Sequence, residues 1–411
     1  MQKIKKIILL ALIIVLLPIK INAIEESEEY EKIDYTWLDS EIETAREAKD
    51  VEINSKSAIV YCRNSKTIIW GKNESIEVPM ASTTKIMTAI IMLEKITNLD
   101  EEVEVSKQAA LVGGSRLGLK VGDKITYNDL LYGLLLCSGN DAATQIAISV
   151  GGDIESFAKL MNTKAKEIGL KHTNFVTPHG LDNENHYTTA LELAIMTDYA
   201  LNNSIFTKVV STKNYSVNIN GHSKTINNTN ELLGYLDGVN GVKTGFTNGA
   251  GRCLVTSVSR DGFNIITVVL GADSKKIRTK DSIKLIEYTY KNYKLVNLKE
   301  QLEEKFQEWK RINENRVYVY KGIKNNINMC LNSDCPKEYP ILKNEESNIY
   351  IELYTYKYII EAPIEEGYKI GEATIVVNTR KIMQIDIVSR EKILKKDVKC
   401  YFKELLCLII R

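Results

Sequence analysis

Three short stretches of this chain carry hydroxyls, amines and an amide at spacings suited to attack on a carbonyl carbon. The first is Pro79-Met80-Ala81-Ser82-Thr83-Thr84-Lys85, followed by an apolar run from Ile86 to Leu93. Pro79 suits the start of a helix, and a helix beginning near Ser82 sets Lys85 one turn on, on the same face. Burial of that face disfavours an ammonium, so Lys85 can accept the Ser82 proton. The helix N-terminus adds free N–H groups and a positive dipole end for a developing oxyanion. Ser-x-x-Lys also occurs at Ser156/Lys159 and Ser389/Lys392, as chance allows in a lysine-rich chain. The spacing alone therefore decides nothing; partners must.

The second stretch, Cys137-Ser138-Gly139-Asn140-Asp141, sits between the apolar segments Asp129 to Leu136 and Ala142 to Val150. Its polar groups either cap the following helix, through Asn140 or Asp141, or face a cleft. The third is Lys243-Thr244-Gly245-Phe246-Thr247. A glycine in or beside a strand marks a close approach to the backbone, and Lys243 and Thr244 beside it offer a cation and a hydroxyl to an anion. Between these stretches, Thr177-Pro178-His179-Gly180-Leu181-Asp182 and His186-Tyr187-Thr188-Thr189 form a polar loop. His179 and His186 could act as bases, but read rather as residues that order the loop.

The elements that must hold these groups are legible in outline. Ser57 to Cys62 and Thr67 to Trp70 read as a hairpin, Arg252 to Ser259 and Phe263 to Leu270 as a second hairpin turning at Asp261-Gly262, and Lys276 to Tyr293 as a closing helix. The glycines of Gly113 to Asp123 lack phosphate-loop spacing and read as structural. After a charged helix around Leu298 to Arg311 the chain changes to short β-prone runs, among them Val317 to Tyr320, Ile349 to Leu353, Glu372 to Val377 and Met383 to Val388. No chemistry is visible there.

With 411 residues, 44% hydrophobic and 26% charged, the chain has material for two or three domains. A net charge of +1 gives no case for nucleic-acid binding. Lys3, Lys5 and Lys6 precede an uncharged stretch from Ile7 to Ile19, with Ala23 at a cleavage point; residues 1–23 read as a secretory signal peptide. Removing them takes four lysines and no acids, leaving a net charge of −3. The expected address is extracytoplasmic. Residues 24–50 are an acidic, polar lead-in with a short helix over 39–48.

The seven cysteines form no disulfide framework for a chain this size; Cys330 and Cys335 alone are near enough in sequence for a loop disulfide. Cys62, Cys137 and Cys253 read as small core residues. None of the four histidines pairs with a cysteine at zinc spacing, so no metal or other cofactor is expected. The end, Lys392 to Arg411, mixes lysines with large apolar residues and is too short and charged to span a bilayer. It reads as a cationic amphipathic helix lying on a membrane surface.

Ser-x-x-Lys at Ser82, Ser-x-Asn at Ser138 and Lys-Thr-Gly at Lys243 stand in that order, 56 and 105 residues apart. The set resembles the penicillin-binding serine enzymes. Pro79 to Thr88, Asp129 to Leu136 leading into Ser138-Gly139-Asn140-Asp141-Ala142-Ala143, and Lys243 to Thr247 resemble one branch more narrowly, the low-molecular-mass D-alanyl-D-alanine carboxypeptidases, over roughly residues 55–390. The resemblance implies an α+β catalytic domain of the β-lactamase/DD-peptidase type, an antiparallel sheet with helices on both sides, over residues 51–294. It implies a small all-β domain over 295–390 and a membrane-associating tail over 391–411.

By the same resemblance, Ser82 attacks the terminal D-Ala-D-Ala bond of a peptidoglycan stem peptide with Lys85 as base. Ser138 relays a proton to the leaving amine, and Asn140 holds Lys85 and a substrate amide. Lys243 and Thr244 bind the terminal carboxylate. The strand around Gly245 carries the N–H of Phe246, which joins that of Ser82 in the oxyanion hole, and β-lactams inhibit covalently. Some members carry His where this chain has Phe246, and many have Asp where it has Glu192. The alternatives are a β-lactamase, for which the loop offers Asp182 and Glu184, and a β-lactam sensor that acylates without turnover.

Overall fold

The computed structural model describes residues 36–47, 50–332, 335–345 and 348–409. The signal-peptide reading lies outside them. The chain divides into two compact units: one of the described residues up to Val60 with Trp70–Ser259 and Ile266–Leu285, the other of Tyr61–Ile69, Arg260–Ile265 and the residues from Ile286 onward.

The principal sheet orders its strands β2-β1-β9-β8-β7, where β1 is Ser57–Cys62, β2 Thr67–Lys72, β7 Val239–Thr247, β8 Gly251–Arg260 and β9 Phe263–Ala272. Strand β7 lies at an edge and pairs antiparallel with β8, setting Lys243 opposite Val255 and Gly245 opposite Cys253. The short ladders β3–β4 (Glu102–Glu104, Lys124–Thr126) and β5–β6 (Asn214–Ile219, His222–Asn227) stand apart from it. The lead-in is partly built: helix α1 (Thr36–Glu47) buries Leu38, Ile42 and Ala45 on one face, at the spacing of helical turns.

The helical layer centres on α2 (Lys85–Lys95), in which every residue from Lys85 to Met92 is buried. A helix apolar all round belongs in a core. Following α3 (Lys107–Leu111), α4 (Tyr127–Leu135) and α5 (Asn140–Gly151) pack on it. Helices α6 (Ile154–Ile168), α7 (Ala190–Ala200), α8 (Ser204–Val210) and α9 (Lys275–Asn292) complete the set. Their starts follow local chemistry: Thr126, Asp153, Thr189 and Asn203 each accept an N–H of the first turn. Asn140 and Asp141 do not cap α5; its N-cap is Gly139, with no side-chain cap bond. Both side chains reach instead to a loop more than twenty residues upstream.

In the second unit, α10 (Leu298–Asn313) accompanies a four-stranded sheet ordered β12-β17-β16-β14, made of Met329–Leu331, Arg380–Ser389, Lys369–Val377 and Ile349–Thr355. Strand β10 (Tyr293–Val296) pairs with β13 (Tyr339–Leu342), and β11 (Tyr318–Tyr320) runs parallel to β15 (Ile359–Glu361). Phe306, Val319, Met329, Ile364, Ile387 and Ile393 share one core.

Ile393 moves the expected tail boundary. It is fully buried and exchanges two backbone hydrogen bonds with Ile364, while the Lys396 N–H donates to the Lys321 carbonyl. Residues 391–396 thus belong to the β unit, and the tail helix proper is α11 (Val398–Ile409). It exposes Val398, Tyr401, Phe402, Leu405 and Leu406. Among the described residues no helix is long and apolar enough to cross a membrane. All seven cysteines are free thiols, Cys330 and Cys335 included.

Candidate active site

Ser82 lies in a 3₁₀ turn, Ala81–Thr84, that runs straight into α2. The α-helix therefore begins three residues later than the spacing suggests. Two threonines tighten the turn: Thr83 Oγ1 donates to the Met80 carbonyl at 2.6 Å and Thr84 Oγ1 to that of Ala81 at 2.7 Å. Ser82 is half-buried, and Lys85 behind it is fully buried.

The oxygens around Lys85 Nζ include Ser82 Oγ at 2.7 Å, Asn140 Oδ1 at 2.7 Å and the His179 carbonyl at 3.0 Å. The last two can only accept. A neutral amine uses both of its N–H bonds on them and turns its lone pair toward the Ser82 hydroxyl. The orientation of the Asn140 amide follows from its other end, since Nδ2 donates to the Gly113 carbonyl at 2.7 Å.

The turn before α5 is held from the Gly-rich segment. Asp141 accepts the N–H groups of Leu117, Gly118 and Leu119 at 2.8, 2.7 and 3.0 Å, and the Asn140 N–H donates to the Ser115 carbonyl at 2.7 Å. Gly114 permits this approach, because a Cβ there would stand 2.6 Å from Asn140 Nδ2. Ser138 has left-handed backbone (φ +62°) and is buried, two residues before the amide that touches Lys85. Burial, reinforced by the Asp141 charge, pushes the neighbouring Cys137 thiol up to about 11. That sulfur is no competing nucleophile at neutral pH.

Strand β7 forms the opposite wall. A Cβ on Gly245 would stand 3.1 Å from the Ser82 N and 3.3 Å from the Met80 carbonyl, which is the close approach its sequence context implies. Lys243 is buried, with Nζ 2.9 Å from the Thr244 carbonyl, and Thr244 Oγ1 lies 2.6 Å from that of Thr229. The Phe246 ring is covered by the Arg252 guanidinium at 3.7 Å.

The loop 177–186 grips both walls. The carbonyls of Pro178 and His179 accept from Thr88 Oγ1 and Lys85 Nζ, while Asp182 accepts from Thr247 Oγ1 and, at 2.9 Å, from the Gly249 N–H. Asp182 thus ties the end of β7 rather than standing free. His179 serves through its backbone; burial and the nearby Lys85 push its ring down to about 3, and Nδ1 accepts from the Leu181 N–H at 3.3 Å. Glu192 braces structure: it accepts from the Lys171 and His172 N–H groups and from Thr173 Oγ1. Asp141, Asp182 and Thr84 are site-building residues that motif reading passes over, since their partners lie far off in sequence.

A sheet edge and a buried helix bring a serine, a buried lysine and an amide together, with a second lysine on the facing strand. The family model described as D-alanyl-D-alanine carboxypeptidase matches residues 43–274, and the one described as penicillin-binding protein 5, C-terminal domain, matches residues 306–395. The chain is 31% identical over 356 residues to D-alanyl-D-alanine carboxypeptidase DacF of Bacillus subtilis, covering 85% of this chain and 88% of the relative. Another relative, from Streptomyces sp. K15, is 36% identical over 241 residues, covering 54% of this chain and 83% of its own. Among solved structures, penicillin-binding protein 5 from Haemophilus influenzae superposes with a TM-score of 0.72 at 25% identity, over 85% of this chain and all of its own. The chain belongs to the D-alanyl-D-alanine carboxypeptidase family. It is a serine-type carboxypeptidase, a hydrolase.

Proposed function

We propose that Ser82 is the nucleophile that removes the terminal D-Ala of a peptidoglycan stem peptide, with Lys85 as its base. The observation that carries this reading is the placement of Lys85 Nζ, 2.7 Å from Ser82 Oγ and within hydrogen-bond distance of two obligate acceptors. As the Ser82 oxygen bonds to the carbonyl carbon, its proton passes to Nζ. The oxyanion then sits between the N–H groups of Ser82 and Phe246. Collapse breaks the C–N bond, and Ser138 relays a proton to the leaving amine, giving up its own as it takes the one held on Lys85 Nζ. Water then cleaves the ester by the reverse proton path. Lys243 and Thr244 receive the substrate carboxylate, Gly245 lets the strand lie against the serine turn, and Asn140 holds both Lys85 and a substrate amide.

β-Lactams enter the same path as mimics of the terminal amide. The lysine-flanked apolar leader supports action outside the cytoplasm, and the exposed Phe402 and Leu405 of α11 support attachment to the outer membrane surface. Intact-mass measurement after incubation with penicillin tests the core of the proposal. One covalent adduct on the wild type and none on Ser82→Ala is expected; labelling of the alanine variant rejects the assignment.

A further inference from the structure

We propose that Thr84 and His186 are positioning residues, which hold the nucleophile turn through a one-way chain of hydrogen bonds ending on the Ala81 carbonyl; the proposal rests on Ser82 being the nucleophile. The backbone N–H groups of Val176 and Thr177 point at His186 Nδ1, at 3.0 and 3.4 Å. They can only donate, so Nδ1 bears no proton. The neutral ring then carries its proton on Nε2, 2.8 Å from Thr84 Oγ1. Thr84 accepts there, and its own proton goes to the Ala81 carbonyl at 2.7 Å. Every link is thus directed by the one before it. Thr84 is fully buried and His186 nearly so, which shields the chain from water.

The end of the chain matters because Ala81 has left-handed backbone (φ +48°), a conformation that residues with a Cβ rarely adopt. Gly180 backs the same carbonyl; a Cβ there would overlap both Ala81 O and Thr84 Oγ1. The Ala81–Ser82 peptide that ends in this carbonyl also carries the Ser82 N–H. Rotation of that peptide would swing the N–H away from a developing oxyanion while leaving Lys243 in place. Loss of the relay is therefore felt in the acylation step and not in ligand capture.

Stopped-flow acylation by a fluorescent penicillin, with the full chain, separates the two. Thr84→Val should slow the first-order acylation constant roughly three- to tenfold, the worth of one directed hydrogen bond, with the pre-covalent dissociation constant within about twofold. Thr84→Ser, which keeps the hydroxyl, should stay within about twofold of wild type in both. A valine variant as fast as wild type overturns the proposal. So does a serine variant as slow as valine, since that assigns the effect to the lost methyl. Long-range ¹H–¹⁵N spectra of the wild type add a measurement that needs no variant to fold. His186 should show the Nε2-protonated tautomer from about pH 6 to 8. A proton on Nδ1, or a charged ring, overturns the relay alone; a wild type that never acylates overturns the nucleophile reading and the relay with it.

Discussion

Asn140 and Lys85 meet at 2.7 Å through an amide that cannot turn round, because its nitrogen is engaged by the Gly113 carbonyl. The amide therefore offers Lys85 an acceptor without offering it a charge. Asn140→Asp keeps the shape and adds the charge. A carboxylate within contact distance favours an ammonium, so acylation at neutral pH should fall about 10- to 100-fold and its acidic limb should move to higher pH. The pH dependence of penicillin acylation checks this; a lower rate with an unmoved limb would separate the role of Asn140 from the protonation of Lys85.

The carboxylate role proposed for Lys243 predicts discrimination by charge. A peptide amidated at its C-terminus should lose about 10- to 150-fold in kcat/KM against the free acid, as a charge-assisted hydrogen bond worth about 1.5–3 kcal/mol would require. Lys243→Gln should bring the two peptides close together. Discrimination preserved in the glutamine variant counts against carboxylate binding.

Two buried histidines make the fold acid-sensitive. Burial pushes His179 down to about 3, aided by Lys85, and His186 down to about 4. The unfolded chain takes up these protons near pH 6.5, and the folded one does so only near 3 and 4. Between those limits the unfolded state binds more protons, so stability is full above about pH 6.5 and falls as pH drops toward 4. Each ring should contribute about 1–3 kcal/mol of that loss. Urea midpoints measured from pH 7 to 4.5 should fall in the wild type and flatten in His179→Asn. An equal slope in both removes His179 from the account.

The tail can be cut in two ways with different outcomes. Truncation after Asp397 removes α11 and should abolish binding to phosphatidylglycerol vesicles while leaving kcat/KM on soluble peptide unchanged. Truncation after Glu391 also removes buried Ile393 and should destabilise the second unit by about 2–5 kcal/mol, visible as a lower Tm. Vesicle binding that survives the shorter cut retires the membrane reading.

The three motifs were legible because each is local: Ser82 and Lys85 share a turn, Ser138 and Asn140 are two residues apart, and Lys243 to Phe246 form one strand. The helix after Ser82, the closing helix α9 and the β8–β9 hairpin were legible for the same reason. What could not be read depends on partners distant in sequence. Thr84 and His186 are 102 residues apart, and Asp182 meets Thr247 across 65. Asp141 looks like a helix cap until the loop that claims its oxygens is in place. The parallel pairing of β11 with β15 likewise joins strands that no turn connects. The 3₁₀ start of the Ser82 helix escaped because two threonine hydroxyls, rather than backbone propensity, set it.

The free thiols carry a consequence for where this chain can fold. Cys62 and Cys253 are sealed in the interior and Cys330 and Cys335 stand unjoined, so no disulfide links the described residues of either unit. Its cohesion is that of apolar burial and directed hydrogen bonds, neither of which depends on electron balance in the surroundings. Reducing and oxidising buffers should give the same unfolding midpoint. Cys407, exposed on α11, offers a reactive handle for labelling that helix. Refolding in reducing buffer, with no disulfide catalyst, should therefore recover full penicillin acylation.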